Sequence, residues 1–237
     1  YTNSYKANGT DIDTVTTYFY HLNADPDAVP PQPEDFAARA ADANADSYMT
    51  RSNTVRSDGT TKQISYYTGT EAGEEQMDWS QEYNFDGTAV KTTTIYTHDA
   101  EGALTVSTVW KYQTVATEKP TDMTVKKSET FYKGSKGVEK SDYTNAYKPN
   151  GTDIDTVTTY FYHLNADPDA EPPVAENFAA RAQDANADSY MTRSNTVRSD
   201  GTTKQISYYT GTESGEEAID WSQEYNFDGT AVKTTTI

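Results

Sequence analysis

Residues 1–95 recur almost unchanged as residues 143–237, with ten substitutions over the 95 aligned positions. The stretch between them, 96–142, occurs once, so the chain holds one complete repeat (1–142) and two thirds of a second (143–237). Such near-identity constrains the fold: each repeat must bury its own apolar surface or share it with a neighbour. It also constrains function, because duplicating whole modules builds length or valency more readily than a reaction centre. Ile237 matches Ile95, which runs on into YTHDAEGALTV, so the expectation is a slice of a longer chain.

Aromatic side chains supply the material for a core, with 19 Tyr, 7 Phe and 3 Trp, while leucine occurs only at 22, 104 and 164. Tyrosine and the abundant threonine suit pleated, half-buried surfaces and pair across strands. There is no cysteine, which excludes a disulfide scaffold and thiolate metal sites. The net charge is −18. Residues 1–95 and 143–237 each carry 15 acids and 6 bases, whereas 96–142 carry 7 of each. A surface of this sign repels nucleic acid and anionic membranes and suits solubility or cation binding. No apolar run approaches the roughly 20 residues that span a bilayer.

A shorter rhythm lies inside the long repeat. Strand-like runs flank turns at Asn8-Gly9, Asp58-Gly59, Asp86-Gly87, Glu101-Gly102 and Gly134 to Gly137. Asn-Gly and Asp-Gly supply the positive φ that tight hairpins need. The flanks alternate: Val15, Thr17, Phe19 and His21 fall on one face, Thr16, Tyr18 and Tyr20 on the other. The fold class expected is mainly β, with antiparallel hairpin-rich sheets in tandem repeats and about eight to ten strands per repeat. One segment departs from alternation. PEDFAARAADANA predicts a short helix, with Pro33 in its first turn, Glu34 and Asp35 at its positive end, and Phe36, Ala40 and Ala43 on one face. The helical insertion is expected at about 28–47 and again at about 170–189. Substitutions concentrate in 29–41 and at 76–77, which marks surface segments.

The best ligand-like motif is Asp42-x-Asn44-x-Asp46, repeated as Asp184, Asn186 and Asp188. This spacing sets three oxygen ligands on one side of a loop and suits structural calcium. Ser47 and Asn53 stand where a calcium loop of the EF-hand kind needs Gly and Glu, and turn chemistry for Asp and Asn is the other reading. Asn23, Asp25 and Asp27 repeat the alternation. Asn8-Gly-Thr and Asn150-Gly-Thr are glycosylation sequons as well as hairpin turns. His21, His98 and His163 sit on Thr/Tyr-rich strands or beside a turn, with no nucleophile, phosphate-loop or zinc spacing around them. No enzyme activity and no required cofactor are expected. Aromatic rows such as Tyr18-Phe19-Tyr20, Tyr66-Tyr67 and Trp110-Lys-Tyr112 serve sheet cores or stack on sugars.

The Tyr-x-x-Asp-Gly rhythm of EYNFDGTAV and YTHDAEGALTV resembles YD/RHS repeats, whose strands coil into a shell. In its organisation the chain resembles prokaryotic cell-surface repeat proteins: sheath and fibre subunits, surface-layer proteins and giant adhesins. That resemblance implies an extracellular, cell-surface structural role in which the chain's main partner is itself. Two further readings are an adhesin stalk of independent β-sandwich repeats and a carbohydrate-binding module repeated for avidity.

Overall fold

A computed structural model describes every residue except 26, 29–31, 113, 168 and 171–174. The described residues form sixteen strands and no helix, in two compact units: Tyr1–Tyr96 with Val109–Thr124, and Thr97–Thr108 with Val125–Ile237. The unit boundaries therefore do not follow the 142-residue period.

In the first unit the strands are β1 (Thr2–Tyr5), β2 (Ile12–Leu22), β3 (Asp35–Ala38), β4 (Met49–Arg56), β5 (Thr61–Thr68), β6 (Gln76–Tyr83) and β7 (Val90–His98). They pair antiparallel in the order β1-β2-β4-β5-β6-β7, with β3 on β2. The second unit contains β8 (Leu104–Trp110), β9 (Lys126–Lys133), β10 (Lys140–Tyr147), β11 (Ile154–Leu164), β12 (Asn177–Ala180), β13 (Met191–Arg198), β14 (Thr203–Thr210), β15 (Ala218–Tyr225) and β16 (Val232–Thr236). Its order is β8-β9-β10-β11-β13-β14-β15-β16, with β12 on β11. The antiparallel β architecture expected from alternation and Gly-centred turns is present.

The register sorts side chains into rows. On one face of the first unit Phe19, Arg51, Tyr66, Trp79 and Ile95 stand side by side, and Thr17, Asn53, Ile64, Gln81 and Thr93 form the next row. Arg51 lies 4.5 Å over the Phe19 ring, and the Tyr66 and Trp79 rings stack at 4.0 Å. On the opposite face Tyr18 is followed by Ser52, Ser65, Ser80 and Thr94. The three serines are buried, and the Tyr67 hydroxyl bonds Ser52 Oγ at 3.2 Å. Such pairs contribute about 0.2–1 kcal/mol each, so cohesion is spread over many small contacts.

The turns carry a recurring device. In Asp58-Gly-Thr60 the carboxylate accepts the Thr60 amide (2.9 Å) and hydroxyl (2.7 Å), and Asp86, Asp200 and Asp228 repeat this with Thr88, Thr202 and Thr230. Those bonds hold all four carboxyls below the usual aspartate range. A second device links hairpins. Glu75 accepts the amide of Met49 at the start of β4, Glu217 that of Met191 at the start of β13, and Glu139 that of Leu104 at the start of β8. The Tyr67–Ser52 bond likewise recurs as Tyr209–Ser194 and Tyr132–Ser107. Residues 104–139 are thus a divergent version of the 49–75 module. Where that module turns through Asp58-Gly59, the divergent one carries the long connection from β8 to β9.

The helical insertions predicted at about 28–47 and 170–189 are not helices. Asp35–Ala38 forms β3, paired through Tyr20↔Ala38 and Leu22↔Asp35, and Asn177–Ala180 forms β12 in the same way. Residues 29–31 and 171–174 of those ranges lie outside the described residues. The physical reason is competition for backbone partners. A helix of three turns is marginal alone, whereas β2 offers a ready ladder. Asp35 also folds its carboxylate onto the Ala37 amide (2.7 Å), and Phe36 packs on the His21 ring at 4.7 Å.

Candidate functional site

Two features mark the aromatic face. The first is a strap. Within Val109–Thr124 the chain crosses β5 and β6 of the first unit, and three side chains grip it. Gln81 donates from Nε2 to the Thr114 carbonyl (2.9 Å), and its Oε1 accepts the Ala116 amide (3.0 Å). Its amide is further fixed by Thr93 Oγ1 at 3.1 Å. The Tyr66 hydroxyl donates to the Ala116 carbonyl (3.4 Å), and Lys119 pairs with Asp78 at 2.5 Å. Gln81 is fully buried, so its carboxamide acts as a short piece of neighbouring strand, offering one donor and one acceptor to a passing backbone.

The second feature is a twin pocket. Asp35, Phe36, Ala37, Thr50, Arg51 and Tyr66 line a cavity of about 310 Å³. Asn177, Phe178, Ala179, Thr192, Arg193 and Tyr208 line its counterpart of about 320 Å³. Thr50 Oγ1 donates to the Phe36 carbonyl (2.7 Å) and Thr192 to that of Phe178 (2.7 Å), which fixes each wall. Phe36 and Phe178 are each 57% exposed. Buried Nε atoms of Arg51 and Arg193 make no hydrogen bond. An exposed ring, a stacked tyrosine and an arginine form an amphipathic floor suited to a flat polar ligand.

The calcium-like residues serve turns in this structure. Asn44 Oδ1 accepts the Asp46 amide (2.9 Å) and the Ser47 hydroxyl (3.3 Å), and Asn186 does the same with Asp188 and Ser189. Asp42 and Asp184 are exposed in the preceding turns, where their amides donate to the Arg39 and Arg181 carbonyls. No group of three or more His, Cys, Asp or Glu side chains converges among the described residues. Asp25 Oδ1 accepts the amides of Asp27 and Ala28. Asn8 and Asn150 are exposed hairpin residues, and each accepts two backbone amides and donates to Asp11 or Asp153. His21 and His163 are buried against Tyr48 and Tyr190 and meet Glu34 and Glu176 at 2.8 and 3.0 Å.

Sequence reasoning missed the strap and the twin pocket. The strap did leave a signal, since Tyr132-Lys-Gly134 through Glu139 matches Tyr67-Thr-Gly69 through Glu75 and so makes 111–125 an insertion. Among the described residues no helix is long and apolar enough to cross a membrane. No protein-family model matches the chain, and no curated protein matches it.

Proposed function

We propose that the chain is a non-enzymatic, extracellular structural protein whose repeated β modules self-assemble into a sheath, fibre or surface layer. One observation carries this reading: β1 and the end of β10 are near-copies, differing only in Ser4 against Ala146, yet they stand in different company. β10 takes β9 along the edge opposite β11, with Thr130↔Thr144 and Phe131↔Tyr143 in register. The threonine hydroxyls meet at 2.9 Å and the rings stack at 4.5 Å. Among the described residues β1 pairs only with β2. Its Tyr1 and Tyr5 are 79% and 54% exposed, while their counterparts Tyr143 and Tyr147 are half-buried. That outer edge of β1 corresponds to the edge of β10 that β9 covers, and an edge of this kind is a template for another strand, so a β9 strand from an adjacent repeat fits it. A β9 segment of a neighbouring module then extends the ladder without new chemistry.

Sedimentation and negative-stain imaging over a range of concentrations, with and without calcium, test the reading. Concentration-dependent, ordered association is expected, and a Gly9→Ala variant loses it. A monodisperse monomer at every concentration overturns the proposal, and a thin beaded thread supports an adhesin stalk instead. The twin pockets favour a second reading, a carbohydrate-binding module repeated for avidity. A glycan array with no hits removes it.

A further inference from the structure

We propose that the twin pockets hold a carboxylate-bearing sugar, a hexuronate ring of an acidic polysaccharide, with Arg51 or Arg193 taking the carboxylate and Phe36 or Phe178 the flat face of the ring. The proposal rests on the carbohydrate-binding reading of these pockets and names the class of sugar. Charge points to that class. Residues 1–95 and 143–237 each carry 15 acids for 6 bases, so a guanidinium there has many carboxylates to pair with. Yet among the described residues neither Arg51 nor Arg193 forms an ion pair. Each is braced on an aromatic ring instead, 4.5 Å over Phe19 and 4.4 Å over Phe161, and each keeps a buried Nε without a partner. A guanidinium fixed by stacking and left without a counter-ion suits a planar anion, which its Nη groups meet as a pair.

The rest of the lining suits a sugar. Phe36 and Phe178 stay 57% exposed although each is held in place, by the His21 or His163 ring at 4.7 and 4.6 Å and by a threonine hydroxyl on its carbonyl. A large ring that is fixed yet open to solvent is a stacking platform for the apolar face of a pyranose. Asp35 gives Oδ1 to the Ala37 amide, and Asn177 gives its own to the Ala179 amide (2.8 Å). The other head atom of each makes no bond among the described residues, and it offers a ring hydroxyl an acceptor at Asp35 and a donor at Asn177. A plain aromatic acid would leave that group unused.

The two copies supply an internal comparison. Of the six lining positions only one differs, Asp35 against Asn177. The first pocket therefore carries a carboxylate as well as its arginine, and the second carries the arginine alone, which makes the second the stronger site for an anion. The strap adjoins the first pocket through the bond from Tyr66 to Ala116. The volumes still agree, at about 310 and 320 Å³, so the pocket belongs to β3, β4 and β5, and to β12, β13 and β14, rather than to what lies beside them. One such site per repeat gives a polysaccharide many weak holds that add through avidity.

Calorimetric titration of the intact 237-residue chain is the test. The probes are trisaccharides of galacturonate, glucuronate and mannuronate, each also with its carboxyls methyl-esterified. Binding of at least one acidic trisaccharide at two sites per chain is expected, and its ester should bind at least about tenfold more weakly. Arg193→Gln and Phe178→Ala should each weaken the tighter site at least about tenfold. Asp35→Asn, which the second copy accommodates with the same turn bond, should tighten the first site several-fold and make the two sites alike. That gain should shrink at high salt. Phe178 is exposed, so its variant remains informative if Arg193→Gln fails to fold, which circular dichroism monitors. An ester that binds as well as its acid overturns the acidic class and leaves the carbohydrate reading standing. No saturable binding of any trisaccharide overturns the proposal, and a glycan array without hits then removes the carbohydrate reading too. Binding that all three variants leave unchanged, or benzoate binding as tightly as the best trisaccharide, also overturns it.

Discussion

Gly9 and Gly151 offer a matched pair of perturbations, because they occupy the same Asn-Gly-Thr turn with nearly the same φ, +70° and +75°. At Gly9 a Cβ would meet nothing within 4 Å. At Gly151 it would lie 2.6 Å from the Val125 Cα and 2.8 Å from the Lys126 amide, where the chain enters β9. Alanine in the left-handed region costs about 1–2 kcal/mol at either site. Crowding against a backbone that cannot swing aside adds about 1–3 kcal/mol at residue 151 alone. Gly9→Ala should therefore destabilise its hairpin by about 1–2 kcal/mol, and Gly151→Ala by about 2–5 kcal/mol. Hydrogen exchange read by mass spectrometry over residues 126–133 is the assay. Exchange there should quicken by roughly thirtyfold to a few thousandfold in Gly151→Ala, at about 1.4 kcal/mol per tenfold, and stay unchanged in Gly9→Ala. Gly87 and Gly229 serve as controls, since both face a threonine amide, at 2.7 and 2.8 Å, and should respond alike to alanine. If Gly151→Ala and Gly9→Ala perturb their own hairpins equally, β9 does not press on the turn and the basis for strand addition at β1 is lost. The same reasoning explains why Gly9→Ala is the assembly-blocking variant: a β9-like strand arriving at β1 would meet the new Cβ.

Further outcomes follow from the strap, the β9 latch and the turns. Gln81→Ala strands the Thr114 carbonyl and Ala116 amide and should cost about 2–4 kcal/mol in urea unfolding, against less than about 1 kcal/mol for Gln223→Ala. Burial, and then the bond to Glu129, push Tyr147 up to about 12. Its folded value is raised, so its contribution is complete below pH 10 and fades as pH climbs toward 12; tyrosinate absorbance of wild type minus Tyr147→Phe should show one late-titrating group. Burial acts to raise Glu129, but Lys126 and Tyr147 outweigh it and hold it below its usual range. Its contribution is present above pH 4.5 and lost as acid protonates it, a loss that Glu129→Gln should abolish in pH-dependent melting. Asn44→Ala should cost about 1 kcal/mol through its turn bonds, equally in chelator and in calcium; a penalty seen only with calcium would make Asn44 a ligand.

The hairpins were legible because Asn-Gly and Asp-Gly turns and period-two alternation act within a few residues of one another. The insertion was not, because PEDFAARAADANA carries local helix signals and only the ladder offered by Tyr20 and Leu22 decides its state. The grip on the strap joins Gln81 to residues more than 30 positions away, and a lone buried glutamine has no periodicity to betray it. The twin pocket was half legible: Tyr66 stood in an aromatic row, but the wall built by Phe36 appears only once the helix is replaced by β3.

The buried row of Ser52, Ser65 and Ser80 bears on a difficulty peculiar to threonine-rich strands. Runs such as Thr92-Thr93-Thr94 look alike after a shift of two residues, so their ladders have several nearly equivalent alignments. The small serines line up across β4, β5 and β6 as a buried row, and the Tyr67 hydroxyl is anchored to its first member. A slip of two would bring Gln63 or Glu82 into line with the serines and set a long polar side chain in the buried row. The row works as a keyway that admits one alignment. A polymer built from copies of this chain would inherit that alignment at every junction, and its length could grow without accumulating register errors.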